Sequence, residues 1–167
     1  RHGGNVNISI NSQSLAKELR ALNKIASTKS TLPILSHVLL RAADTLTLEA
    51  TDLELAYRTT CAAHIETPGI IALPVTKLFQ MVKQFPDADV SILLDKTHVI
   101  IKCGEFKSRM QAMPPDDFPR LPEVEGQSSM LDAKDFRQMI DRTRYAIAES
   151  SSGYLLQGAL FTLAGPV

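Results

Sequence analysis

Apolar and polar residues alternate with a period of two in six stretches of this chain: 6–10 (VNISI), 45–50 (TLTLEA), 53–60 (LELAYRTT), 89–94 (DVSILL), 98–103 (HVIIKC) and roughly 105–113. Each predicts a β-strand with one buried face. The breaks between them carry AAD, TPG, FPD and DKT, residues that favour turns. Three other stretches, 14–26, 75–85 and 133–148, space their apolar residues three and four apart, which predicts amphipathic helices. Asn11 or Ser12, Pro74 and Asp132 stand where helix-start residues belong. A further strand follows Pro33, so strands dominate and three helices interrupt them: an α+β domain plan.

The helices carry the first functional signal. In the first, Leu15, Leu19, Leu22 and Ala26 make one face while Lys17, Arg20 and Lys24 make another. The second buries Val75, Leu78 and Val82 and offers Lys77 and Lys83; the third sets Phe136, Ile140, Thr143 and Ile147 opposite Arg137, Asp141 and Arg144. All three hold more basic than acidic residues, yet the whole chain balances 18 Lys and Arg against 18 Asp and Glu. One basic helix is an ordinary solvated face. Three of one sign in a neutral chain point to a common basic surface, made by segregation of charge rather than by the overall excess of a dedicated nucleic-acid-binding domain.

The chain also repeats itself. Displaced without a gap so that Leu15 falls on Phe136, it sets Leu19 on Ile140, Ala26 on Ile147, Ile34-Leu35 on Leu155-Leu156 and Val38-Leu39-Leu40 on Ala159-Leu160-Phe161. Displaced so that Ile8 falls on Ile71, it sets Leu15 on Leu78 and Leu19 on Val82. The unit is a strand, a helix and several strands, used twice per domain. Residues 1–5 are read as a tag remnant and N-terminal end, 6–125 as a first domain, and 126–167 as the beginning of a second, after the linker PRLPEVEGQ. A chain that lacks an initial Met and stops at a Gly-Pro turn signal is expected to be part of a longer protein.

With 167 residues and 44% hydrophobic content, a substantial core can form. The two cysteines, Cys61 and Cys103, are too few for a disulfide framework and fit a reducing, cytoplasmic setting with buried thiols. No apolar run is long enough for a membrane span or signal peptide. His2, His37, His64 and His98 are isolated, and no nucleophile, phosphate-loop or metal-ligand motif is present. Asp116-Asp117 and Asp52 with Glu54 could be imagined as ligands of a metal-dependent phosphoesterase, but a turn and a strand edge explain them better. A non-catalytic protein-interaction module without a DNA role is the other alternative.

STLPILSHVLL, LTLEATDLEL, PGIIALPVTKLFQMVKQFP and MQAMPPDDFPRLP, in this order and at these separations, resemble the bacterial DNA polymerase III beta subunit family of sliding clamps. The resemblance runs from about Val6 to Leu163. It implies the DNA clamp fold, with antiparallel sheets outside and basic amphipathic helices inside. It also implies three domains per subunit, of which the third is absent here, and a homodimeric ring that encircles duplex DNA.

That family implies function too: a processivity factor without catalysis or cofactor, contacting double-stranded DNA without sequence preference. Its partners would be the DNA polymerase III alpha subunit, the clamp loader, and other polymerases and repair proteins that dock through short linear motifs. Lys29, in the loop after the first helix, matches a basic DNA-contacting residue, with Ser150 as its counterpart in the second domain. Lys17, Arg20, Lys24, Lys83, Arg137 and Arg144 join them as expected DNA contacts. Lys77, Met81, Lys107 and Met110 match the subunit interface, with Met81 and Met110 equally readable as core, since methionine is a common gap-filler. Gly153, Tyr154, Leu155 and Leu156 match the start of the partner-peptide pocket, with Gly153 standing where an Arg is common.

Overall fold

In a computed structural model, residues 6–26, 30–123, 126, 128–148 and 157–162 are described. Contacts divide the chain into two units, Arg1–Pro122 and Glu123–Val167.

The first unit runs β1 (Asn7–Asn11), α1 (Ser12–Ile25), β2 (His37–Ala42), β3 (Leu46–Thr51), β4 (Ala56–Cys61), β5 (His64–Thr67), β6 (Gly69–Pro74), α2 (Val75–Val82), β7 (Asp89–Asp95), β8 (His98–Cys103) and β9 (Phe106–Gln111). Two antiparallel sheets result, ordered β5-β1-β7-β8-β9 and β4-β3-β2-β6. Both sheets and both helices share one core. Leu15, Leu19 and Leu22 of α1 and Val75, Leu78 and Val82 of α2 are buried in it, with Ile8, Ile10, Val90, Ile92, Val99 and Ile101 from the larger sheet and Leu40, Leu46, Leu48, Ile71 and Leu73 from the smaller.

Alternation located β1, β3, β7, β8 and β9 but gave no clean signal for β2 and β6. The reason is that their sheet is buried on both faces. Ile34, Leu35, Leu39, Ala72 and Phe118 form a second cluster there, joined by Ile70, Met113 and Leu121, so apolar residues run on instead of alternating. The segment DFPRLP (117–122) packs its Phe118 and Leu121 across this second face.

The stretch 53–60 becomes a strand only from Ala56. Asp52 Oδ1 accepts the amides of Glu54 (3.0 Å) and Leu55 (2.6 Å), and Thr51 Oγ1 accepts that of Leu53 while donating to the Leu55 carbonyl. These bonds build a turn with Leu53 at φ 80°, where a bulky side chain is strained. At Gly69 a side chain would not fit, because a Cβ there would lie 2.5 Å from a methyl of buried Val6.

The second unit holds α3 (Ala133–Thr143), capped by Asp132, whose Oδ1 accepts the amides of Lys134 and Asp135. The helix expected over 133–148 ends early, and a 3-10 turn covers Arg144–Ala146.

Candidate nucleic-acid interface

Asn11 starts α1: its side-chain oxygen accepts the amides of Gln13 (3.0 Å) and Ser14 (3.1 Å). Ser12 fastens the same end to the loop after α2, donating its hydroxyl to the Pro86 carbonyl at 2.6 Å and its amide to Ala88 at 3.0 Å. With Leu15, Leu19 and Leu22 fully buried, helical geometry leaves Gln13, Lys17, Arg20 and Lys24 as an exposed stripe. Glu18, the single acid of α1, turns away from it and accepts the Thr59 hydroxyl of β4 at 2.9 Å.

The second helix completes the surface. Thr76 of α2 donates its hydroxyl to Asn23 Oδ1 of α1 at 2.8 Å. Lys83 follows the last helical residue, its amide on the Phe79 carbonyl and its Nζ 5.9 Å from the Phe79 ring centre, a cation–π distance. Gln13, Ala16, Lys17, Arg20, Phe79 and Lys83 line a cleft of about 290 Å³ between the helices. Among the described residues three cations face it and no carboxylate lines it, and α2 contains no acid at all.

Long cationic side chains on two adjacent helices, without neutralising partners among the described residues, suit phosphate oxygens. Nothing in the lining selects one base edge over another, which is what backbone contact without sequence readout requires. Sequence reasoning named Lys17, Arg20, Lys24 and Lys83 but missed Gln13 and Phe79. The spacing of Phe79 and Lys83, one helical turn apart, was the available signal. Lys29 lies outside the described residues.

Arg137 and Arg144 belong to the second unit and are exposed on α3 and at its C-terminal end. Arg137 Nε lies 3.8 Å from Asp141 Oδ2, both well solvated, so this pair contributes little. Phe136 and Ile140 of the apolar stripe are 39% and 47% exposed, and Phe136 meets Phe161 edge-on at 5.6 Å. Ser150 and Gly153, Tyr154, Leu155 and Leu156 lie outside the described residues.

Of the residues matched to a subunit interface, Lys77 and Lys107 are exposed and Met81 is half-buried against the core. Met110 is different: on β9 it pairs with Val99 and points inward, leaving 7% of its surface exposed. It fills the core and has little area to give a partner. β9 is an edge strand, tied to the end of α2 by Phe106 and Phe85, whose ring centres are 5.0 Å apart.

Both cysteines are buried and free. Burial, and then the Glu18 carboxylate, push the Cys61 thiol up to about 11, so it stays protonated and a poor nucleophile at neutral pH. Among the described residues no His, Cys, Asp and Glu side chains gather in a group that could hold a metal ion. Asp52, imagined above as a ligand, is occupied in building the β3–β4 turn. No helix among the described residues is long and apolar enough to cross a membrane.

Residues 6–122 match the sequence profile of the DNA polymerase III beta subunit, N-terminal domain. The chain belongs to the DNA polymerase III beta subunit family. It is 33% identical over 157 residues to the beta sliding clamp of Caulobacter vibrioides, an alignment covering 90% of this chain and 42% of that one. To the beta sliding clamp of Pseudomonas putida it is 32% identical over 160 residues, covering 93% and 43%. Among solved structures, the Caulobacter crescentus beta sliding clamp superposes with a TM-score of 0.85 at 33% identity, over 93% of this chain and 42% of that one. The DNA polymerase III beta subunit of Pseudomonas aeruginosa gives 0.82 at 30%, over 91% and 42%. The chain thus has the sliding-clamp fold and spans less than half the length of the relatives it matches.

Proposed function

We propose that this chain is the first domain, and the opening of the second, of a cytoplasmic sliding clamp: a processivity factor that encircles duplex DNA and tethers a polymerase without doing chemistry itself. The observation that carries the reading is the cation-lined cleft between α1 and α2 in a member of the beta subunit family. Non-specific phosphate binding holds only at about 10⁻⁴ to 10⁻⁶ M at physiological salt, so lasting residence on DNA must come from ring closure. Tethering then raises the polymerase concentration at the primer end.

In this reading Lys17, Arg20, Lys24 and Lys83, with Lys29, Arg137, Arg144 and Ser150, face the phosphates. A second subunit would meet the α2 and β9 side, through Lys77, Lys107 and the exposed part of Met81, with the free edge of β9 offering unpaired backbone groups. Gly153, Tyr154, Leu155 and Leu156 would begin a pocket for short linear motifs of polymerases, repair proteins and the clamp loader.

The test is retention of the whole clamp on nicked circular DNA in high salt after loading by its clamp loader, before and after the circle is cut. Retention on circles with loss from cut ends is expected. Equal loss from both would mean ordinary surface binding and would overturn the reading.

A further inference from the structure

On the face of the smaller sheet away from α1 and α2 lies a second charged cleft, which the clamp reading does not use. Its volume is about 360 Å³, near the lower end of the roughly 300 to 1,000 Å³ typical of small-ligand sites. Arg41, Ile70, Pro115, Asp116, Phe118 and Arg120 line it.

The cationic wall is held in place from beneath. Glu49, whose side chain is only 4% exposed, accepts from Arg41 Nε at 3.3 Å and from Arg58 Nε at 2.8 Å. Because Glu49 holds Arg41 at Nε, the terminal nitrogens of that guanidinium remain able to donate to a ligand. Arg120 is delivered to the same cleft by the DFPRLP segment, whose Phe118 is anchored in the second apolar cluster. Among the described residues Arg120 has no acidic side chain in ion-pair contact. Of the residues lining the cleft, Arg41 and Arg120 outnumber the single acid Asp116, while the part-exposed Ile70 and Pro115 supply apolar surface.

Two guanidiniums beside apolar side chains suit a carboxylate carried on an apolar group. We propose that this cleft binds the C-terminal carboxylate of a peptide ending in apolar residues, with Arg41 and Arg120 on the carboxylate and the last side chain against Ile70 and Pro115. Asp116 at the rim disfavours ligands of higher negative charge, such as phosphate.

The proposal is tested by titrating N-acetyl-leucyl-phenylalanine, with its free carboxylate, into the isotopically labelled chain and following amide signals by NMR. Saturable shifts at Arg41, Ile70 and 116–120 are expected, with a dissociation constant of about 1 mM, ordinary for a dipeptide in a shallow cleft. The carboxamide of the same dipeptide should bind at least about tenfold more weakly, since it cannot form the charge-assisted pair. The exposed Arg120→Ala should weaken the acid by a similar factor without unfolding the protein, and Asp116→Asn should tighten it. Equal binding of acid and amide, inorganic phosphate binding as tightly as the dipeptide, or no saturable shift at these residues would each overturn it.

Discussion

The hydroxyl of Thr76 donates to Asn23 Oδ1 at 2.8 Å, a side-chain bond that crosses from α2 to α1 and sets the two helices on which the basic cleft is built. A half-buried neutral bond of this kind stabilises by about 0.5 to 1.5 kcal/mol. Thr76→Val and Asn23→Ala should each lower the urea midpoint accordingly. In a double-mutant cycle the two should couple by at least about 0.5 kcal/mol; additivity would mean that the bond does not form in solution.

The cleft should reveal itself in salt dependence. Each neutralised phosphate contributes about 0.9 to the slope of log K against log salt. Replacing Lys17, Arg20 and Lys83 together by Ala should therefore flatten that slope by about 2 to 3 for duplex DNA, measured by fluorescence anisotropy. Sequence preference should stay absent in both proteins. An unchanged slope would remove these residues from the DNA surface.

Glu49 lies beneath two guanidiniums that are themselves nearly half exposed. Removing its charge leaves arginines that water can resolvate, so Glu49→Gln should cost only about 1 to 2 kcal/mol. Removing both partners strands a buried carboxylate, and Arg41→Ala with Arg58→Ala should cost about 3 kcal/mol or more. Chemical denaturation of the two variants decides the order; a double arginine variant less damaging than Glu49→Gln would contradict it.

Backbone geometry separates Leu53 from Gly69. Leu53 sits at φ 80° with its side chain 61% exposed, so Leu53→Gly should relieve strain and raise stability by up to about 1 kcal/mol. At Gly69 an added methyl meets buried Val6, and Gly69→Ala should cost about 1 to 3 kcal/mol. Thermal melts should move in opposite directions for the two substitutions.

His37 ends the short 3-10 turn at Pro33–Ser36, its Nδ1 3.0 Å from the Pro33 carbonyl. Burial lowers its pKa below the ordinary 6.5, and the bond to Pro33 opposes this only in part. Below pH 6.5 the unfolded chain takes up the proton first, so stability falls as pH drops from 6.5 to the lowered folded value and then levels off. NMR titration of the ring should give a midpoint under 6.5, and His37→Asn should remove this part of the pH dependence of melting.

Periodicity alone placed α1, α2, α3 and the strands buried on one face, because a helix or a half-buried strand writes its own repeat into the chain. The same periodicity put Lys17, Arg20, Lys24 and Lys83 on exposed faces, which needs no knowledge of what packs where. It could not show that Lys83 turns toward Lys17 and Arg20, since that depends on the Thr76–Asn23 bond and the crossing of two helices distant in sequence.

Tertiary structure alone decided the rest. Met110 is core because the pairing of β9 with β8 turns it inward, whereas sequence left a methionine at that position free to lie on either side. β2 and β6 lost their alternation because DFPRLP, far along the chain, covers their second face. Local chemistry fixes which side of an element is apolar; only the meeting of distant segments fixes what that side touches, and with it where charge is gathered.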